Sequence, residues 1–228
     1  LGEGERLALP RNYEALKPLF ARAMDRFERA KHVFENGHVT ELCELVKAQC
    51  ALWAAILPAE REGARREAIH LRRLALLDPL LAELNPKAFI KQSVELRAVA
   101  AEAATSLFEV AREFGSQKKM ARFGRRAVEE WDTVLAYFTE HPCDTAQAVQ
   151  SLVNCKMSKG RIYAHIQVRD RETARENLVR SLASYTEARD AIKAYKEKVM
   201  IIDGQMAEQL AAVEEFCRLL PAKIQLLN

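Results

Sequence analysis

The chain has 228 residues, 49% of them hydrophobic, and its 35 basic and 32 acidic side chains leave a formal charge of +3. That is enough apolar material for a buried core in one or two domains, while charge so evenly mixed makes no nucleic-acid footprint. The apolar runs read as too short to cross a bilayer, so no membrane insertion is expected.

With only 8 Gly and 7 Pro, turns are few and elements are long. Ala, Leu, Glu, Arg and Lys dominate, and β-branched residues never alternate over a strand length, so the expected fold is all-α. The five cysteines, Cys43, Cys50, Cys143, Cys155 and Cys217, fall mostly at apolar helix positions and suit reduced core thiols of a cytosolic protein. A chain that opens on Leu1 instead of Met is expected to be a segment of something longer.

The first helix carries Tyr13, Leu16, Phe20, Met24, Phe27 and Phe34 on one face and stops at Asn36-Gly37, where glycine accepts a left-handed conformation. The second places Val39, Leu42, Val46, Cys50, Trp53 and Leu57 on a stripe and ends before Pro58, which suits the first turn of the third. That third helix, roughly 59 to 77, sets Arg61, Arg65, Arg66, Arg72 and Arg73 around a thin stripe of Ala64, Ala68, Leu71 and Ala75. It should break at DPLLAELNP, because Asp78-Pro79 and Asn85-Pro86 each read as a cap followed by a proline at the first helical position.

The fourth helix, about 86 to 114, buries Phe89, Leu96, Ala100, Ala104, Leu107 and Phe114 and is closed by Gly115. The fifth uses Met120, Phe123, Ala127, Trp131, Val134 and Phe138 and ends at His141-Pro142. Asp144 and Asp170 are the expected caps of the sixth and seventh helices, and Asp203-Gly204 separates the seventh from an eighth that stops at Pro221. Short connectors fold such helices back on one another. The expected architecture is one domain, 1–228, built as a tetratricopeptide-like right-handed solenoid of about four antiparallel hairpins, roughly 11–57, 59–114, 117–168 and 171–221. Gly160 and Tyr163 have the spacing of the small and aromatic residues of a tetratricopeptide first helix, and Ala174 and Leu178 fit its second helix if two residues are inserted.

Signals of catalysis are sparse. Glu67-x-x-His70 has metal-ligand spacing but no second copy, and His70 sits among arginines, so it is expected at the surface or half-buried and not on a metal. No Cys-x-x-Cys, His-Glu-x-x-His or glycine-rich phosphate loop occurs, so no cofactor, metal or catalytic residue is assigned and no enzyme activity is expected. Tyr163, Tyr185, Tyr195, Trp53 and Trp131 lie on apolar stripes and read as core. The arginines of the third helix alternate with Glu60, Glu62 and Glu67, the pattern of a solvated face laced by intrahelical ion pairs.

Several segments together resemble the C-terminal part of the kinesin-binding protein family, also called KIF-binding protein. They are LPRNYEALKPLF with RAKHVFENGHVTEL, then IHLRRLALLDPLLAELNP, CKMSKGRIYAHIQ, ENLVRSLASYTEA and CRLLPAKIQ, in the family's order over nearly the whole chain. The resemblance implies a cytoplasmic, cytoskeleton-associated, tetratricopeptide-like solenoid that wraps a kinesin motor domain, covers its microtubule-binding helix and packs against N-terminal repeats lying outside this chain. Repeat arrays bind through concave faces and rim loops, so the connector residues Asp78, Glu83 and Asn85, with Arg72 and Arg73 before them, are the candidate partner contacts. Leu80, Leu81 and Leu84 could equally plug the hairpin. A motor surface made for acidic microtubules is basic, so a slightly basic competitor must rely on local acidic rims such as Glu129, Glu130, Glu140 and Asp144, or Glu208, Glu214 and Glu215.

Overall fold

The computed structural model describes residues 13–34, 37–141, 143–166 and 170–227, without the side chains of residues 13 and 15. Tyr13 as a core residue, Asn36 and Pro142 as stop signals therefore fall outside the described positions. Among the described residues there are eight α-helices and no strand, as the composition requires: α1 Tyr13–Phe34, α2 Val39–Ala55, α3 Gly63–Glu83, α4 Ile90–Glu113, α5 Gln117–Glu140, α6 Ala146–His165, α7 Arg171–Val199 and α8 Gly204–Gln225. The chain divides into two compact units, Leu1–Val99 and Ala100–Asn228, with the division inside α4.

In the first unit α1 packs on α2 and α2 on α3. Leu16, Phe20, Met24, Phe27 and Phe34 are half-buried along α1, and Phe20 meets Trp53 of α2 edge to face at 4.4 Å. Gly37 takes φ +97°, the conformation that its place after α1 requires. Pro58 is not in α3: it lies in a short 3-10 turn, Leu57–Ala59, and α3 begins only at Gly63.

The inward face of α3 is not the expected alanine stripe. Ala64, Ala68, Leu71 and Ala75 are exposed, while Ile69, His70, Arg73, Leu74 and Leu77 are buried. Burying one leucine or isoleucine is worth about 2 kcal/mol, far more than an alanine methyl. The helix therefore turns Ile69, Leu74 and Leu77 inward, and His70 and Arg73 go with them.

Nor does α3 break at Asp78-Pro79. It continues through Pro79 to Glu83, and Asp78 is an exposed mid-helix residue and no cap. Proline deletes one helical hydrogen bond and crowds the preceding turn, but its ring is exposed here and the turns on either side are anchored by Leu77 and Leu84, both buried. The same holds at Pro221, which lies inside α8 next to buried Leu220 and does not end it. Asn85 does not cap α4, which starts only at Ile90: its Oδ1 accepts from the N–H of Lys87 and Ala88 at 3.0 and 3.4 Å and so closes a separate turn before that helix.

In the second unit α5, α6, α7 and α8 pack each on the next. From Ala100 to Ala111, α4 is buried on most of its circumference, including Phe108. Gly115, at φ +72°, reverses the chain so that the Ser116 N–H reaches back to the Ala111 carbonyl at 2.9 Å. Phe114 sits in that reversal, beyond the last packed turn, and is 57% exposed instead of buried. The stripe of α5 is as expected, with Met120, Phe123, Ala127, Trp131 and Val134 buried and Phe138 half-buried.

Asp170 and Asp203 cap α7 and α8, accepting from the N–H of Thr173 and Met206 at 2.7 Å each. At α6 the cap is Thr145, whose hydroxyl accepts from Ala148 N, and the expected Asp144 is instead paired with Lys198 at 3.6 Å. Where α6 crosses α7, Gly160 lets the Tyr185 ring approach the helix backbone, and Ser181 Oγ donates to the Gly160 carbonyl at 2.7 Å.

Candidate functional site

In the first unit the helices α1, α2 and α3 enclose an open groove of about 360 Å³. Its floor is Leu42 and Val46 of α2 with Leu76 and Leu80 of α3. Lys31 stands on the α1 rim and Glu83 on the α3 rim.

Of the five candidate contacts, Asp78, Glu83, Asn85 and Arg72 are exposed on the α3 side, whereas Arg73 is only 6% exposed. Arg73 Nη1 lies 3.3 Å from His70 Nδ1, and the Arg73 carbonyl accepts from Cys50 Sγ at 3.6 Å. An arginine spent on the interior offers little to a partner. Arg72 lies over Trp53 with its guanidinium carbon 4.8 Å from the ring centroid, so its cationic head is held flat against the surface. Of the connector's leucines, Leu84 is buried and Leu80 and Leu81 are half-buried, as a plug of the hairpin requires, while Asp78, Glu83 and Asn85 are exposed.

His70 is 4% exposed, buried where the surface or half-burial was expected, and burial followed by the nearby charges of Arg73 and Arg66 pushes its pKa down to about 4. It is therefore a neutral core histidine whose Nδ1 accepts from Arg73. Among the described residues no three His, Cys, Asp or Glu side chains gather in a way that could hold a metal ion. The cysteines are all free, and burial raises the thiols of Cys50 and Cys155 to about 11 and about 12, which keeps them protonated and unreactive.

A second groove, of about 450 Å³, belongs to the second unit. Its lining combines the aromatic faces of Trp131, Tyr185 and Phe216 with Asn154 and Gln209, whose side chains are joined at 2.8 Å, and with Arg161. Tyr185 and Phe216 stack at 4.5 Å with 12° between their planes. Trp131 Nε1 donates to Thr105 Oγ1 at 3.0 Å, so the indole is fixed. Sequence reasoning assigned Tyr185 and Trp131 to the core, where they are, and missed the groove above them because its residues come from five different helices.

The proposed acidic rims are partly neutralised. Glu130 stands 4.0 Å from Arg126, Asp144 pairs with Lys198, and Glu214 pairs with Lys193 at 2.7 Å. At the start of α3, Arg65 meets Glu62, the residue just before the helix, at 2.9 Å, an i,i+3 pairing of the kind that the mixed charge of this segment predicts.

Comparison with known proteins bears on the whole chain. It is 24% identical to KIF-binding protein of Bos taurus over 95% of this chain and 37% of that protein, and 25% identical to KIF-binding protein of Mus musculus over 98% and 38%. The chain thus spans well under half the length of these curated relatives. A solved de novo designed helical repeat protein, DHR64, aligns with 94% of this chain and 96% of its own at TM-score 0.39 and 15% identity, a likeness too loose to carry weight. The family described as KIF-1 binding protein C terminal matches residues 6–227, and on that match, which runs through both compact units, the chain belongs to this family.

Proposed function

We propose that this chain serves a protein that binds kinesin motor domains in the cytoplasm and masks their microtubule-binding face, acting by binding and not by catalysis. The observation that carries the reading is the family match over residues 6–227, together with relatives named for binding KIF proteins. The groove of α1, α2 and α3 supports it, because an apolar floor with the Glu83 carboxylate on one rim suits a surface shaped to meet acidic microtubules. Further repeats of the same protein pack on the exposed face shared by α1 and α2, where Leu19 is 51% exposed beside a shallow hollow lined by Ala23, Phe27, Ala30 and Leu45 with Arg22 and Arg26.

Co-sedimentation tests this directly. Kinesin motor domains are spun down with microtubules, with and without the full-length protein that contains this chain. The expected result is that a subset of motors moves from the pellet to the supernatant as the protein is added. Motors that stay in the pellet, with no complex in solution, would remove the motor reading.

A second reading, a general scaffold for a peptide or helix of another partner, is favoured by one feature. The groove of the second unit is lined by side-chain amides and aromatic faces, groups that serve peptide backbones and apolar side chains in general. Full motor displacement by a protein whose second-unit groove already holds a peptide would support two separate binding sites.

A further inference from the structure

One wall of the α1–α3 groove is chemically unusual. Pro79 lies inside α3 and carries no N–H, so the Ala75 carbonyl one turn earlier lacks the i+4 donor that an α-helix would supply. Ala75 and Pro79 are both exposed and both line the groove. Glu83, on the same rim, closes α3, where the last backbone carbonyls converge and favour positive charge.

The geometry points to this groove as a docking site for a segment of a partner protein in which an arginine or lysine neighbours an apolar residue. The apolar side chain packs on Leu42, Val46, Leu76 and Leu80. The cationic head donates to the Ala75 carbonyl and to the Glu83 carboxylate, while Lys31 on the far rim repels a second cation and fixes which way round the segment lies. The inference rests on the motor-binding reading and gives it a chemical address, since a surface that engages acidic microtubules is rich in such segments. An acidic or phosphorylated segment would face Glu83 and is disfavoured.

Pro79→Ala is the decisive variant, made in the full-length protein. It restores an N–H to the Ala75 carbonyl, so the melting temperature should rise while affinity for a kinesin motor domain falls by about tenfold, the worth of a hydrogen bond to a charged group. Glu83→Lys should lose at least as much affinity with an unchanged melting temperature. If Pro79→Ala raises the melting temperature and both variants bind the motor as the parent does, the groove is not the contact, though motor binding stands. A lowered melting temperature in Pro79→Ala would mean that ring packing and not the missing bond is what the proline provides, and would also overturn the inference. A parent protein that binds no motor domain in the same assay overturns the motor reading and this partner together.

Discussion

Gly160→Val is expected to lower the free energy of unfolding by about 3 kcal/mol, near the top of the range for overpacked cores. A β-carbon at Gly160 would lie 2.9 Å from both Cε2 and Cζ of Tyr185, a distance at which something must move. The ring is held in place, because Tyr185 is 2% exposed and stacked on Phe216. The helices cannot easily separate either, since the Ser181 hydroxyl is bonded to the Gly160 carbonyl across the same crossing. Glycine costs a helix about 1 kcal/mol relative to alanine, so its presence in mid-α6 is itself a sign that close approach outweighs propensity. Urea denaturation of parent and variant measures the effect, and a difference below about 0.5 kcal/mol would mean that the crossing is loose.

The second large effect is a loss of stability in mild acid. His70 titrates near 4 in the folded protein and near 6.5 unfolded. Between those values the unfolded chain binds a proton that the folded chain refuses, so stability is intact above about pH 6.5, declines as the pH falls towards 4 and is constant below. The gap corresponds to roughly 3 kcal/mol. The quantity that isolates His70 is the difference between the parent and His70→Gln in denaturation midpoints from pH 7 to pH 4. The variant should start less stable and show a shallower decline. Parallel curves for the two proteins would mean that His70 is accessible enough to protonate in place.

The signals that the sequence carried cleanly were those written in single residues with one physical meaning. Gly37 and Gly115 take the positive φ that their positions demanded, and Asp170 and Asp203 accept the orphan N–H groups of the helices they precede. The apolar stripe of α5 was equally plain, because its inward positions are large and its outward ones charged. In α3 the pattern misled for the opposite reason. Two faces competed, one of small alanines and one of three large aliphatics mixed with a histidine and an arginine, and the amount of buried area decided between them. Prolines misled as well, since Pro79 and Pro221 read as boundaries although buried leucines nearby hold the helix together across the lost bond.

The candidate site was half legible. Asp78, Glu83 and Asn85 were singled out from their place beside Asp-Pro and Asn-Pro and are indeed exposed, yet the groove that gives Glu83 a neighbourhood needs Lys31, Leu42 and Val46 from two other helices. No local pattern announces residues that meet only after folding. Arg73, next to the connector in sequence, is carried into the interior by the face that α3 buries.

The raised thiols give the molecule a clock in each of its units. Cys50 belongs to the first and Cys155 to the second, and each is both sealed from solvent and held in its unreactive form. An alkylating reagent can reach either one only in the moments when its own surroundings come apart. The rate at which each sulfur is consumed is therefore a private record of how often that half of the chain opens, and a partner gripping one half alone would slow one clock and leave the other running.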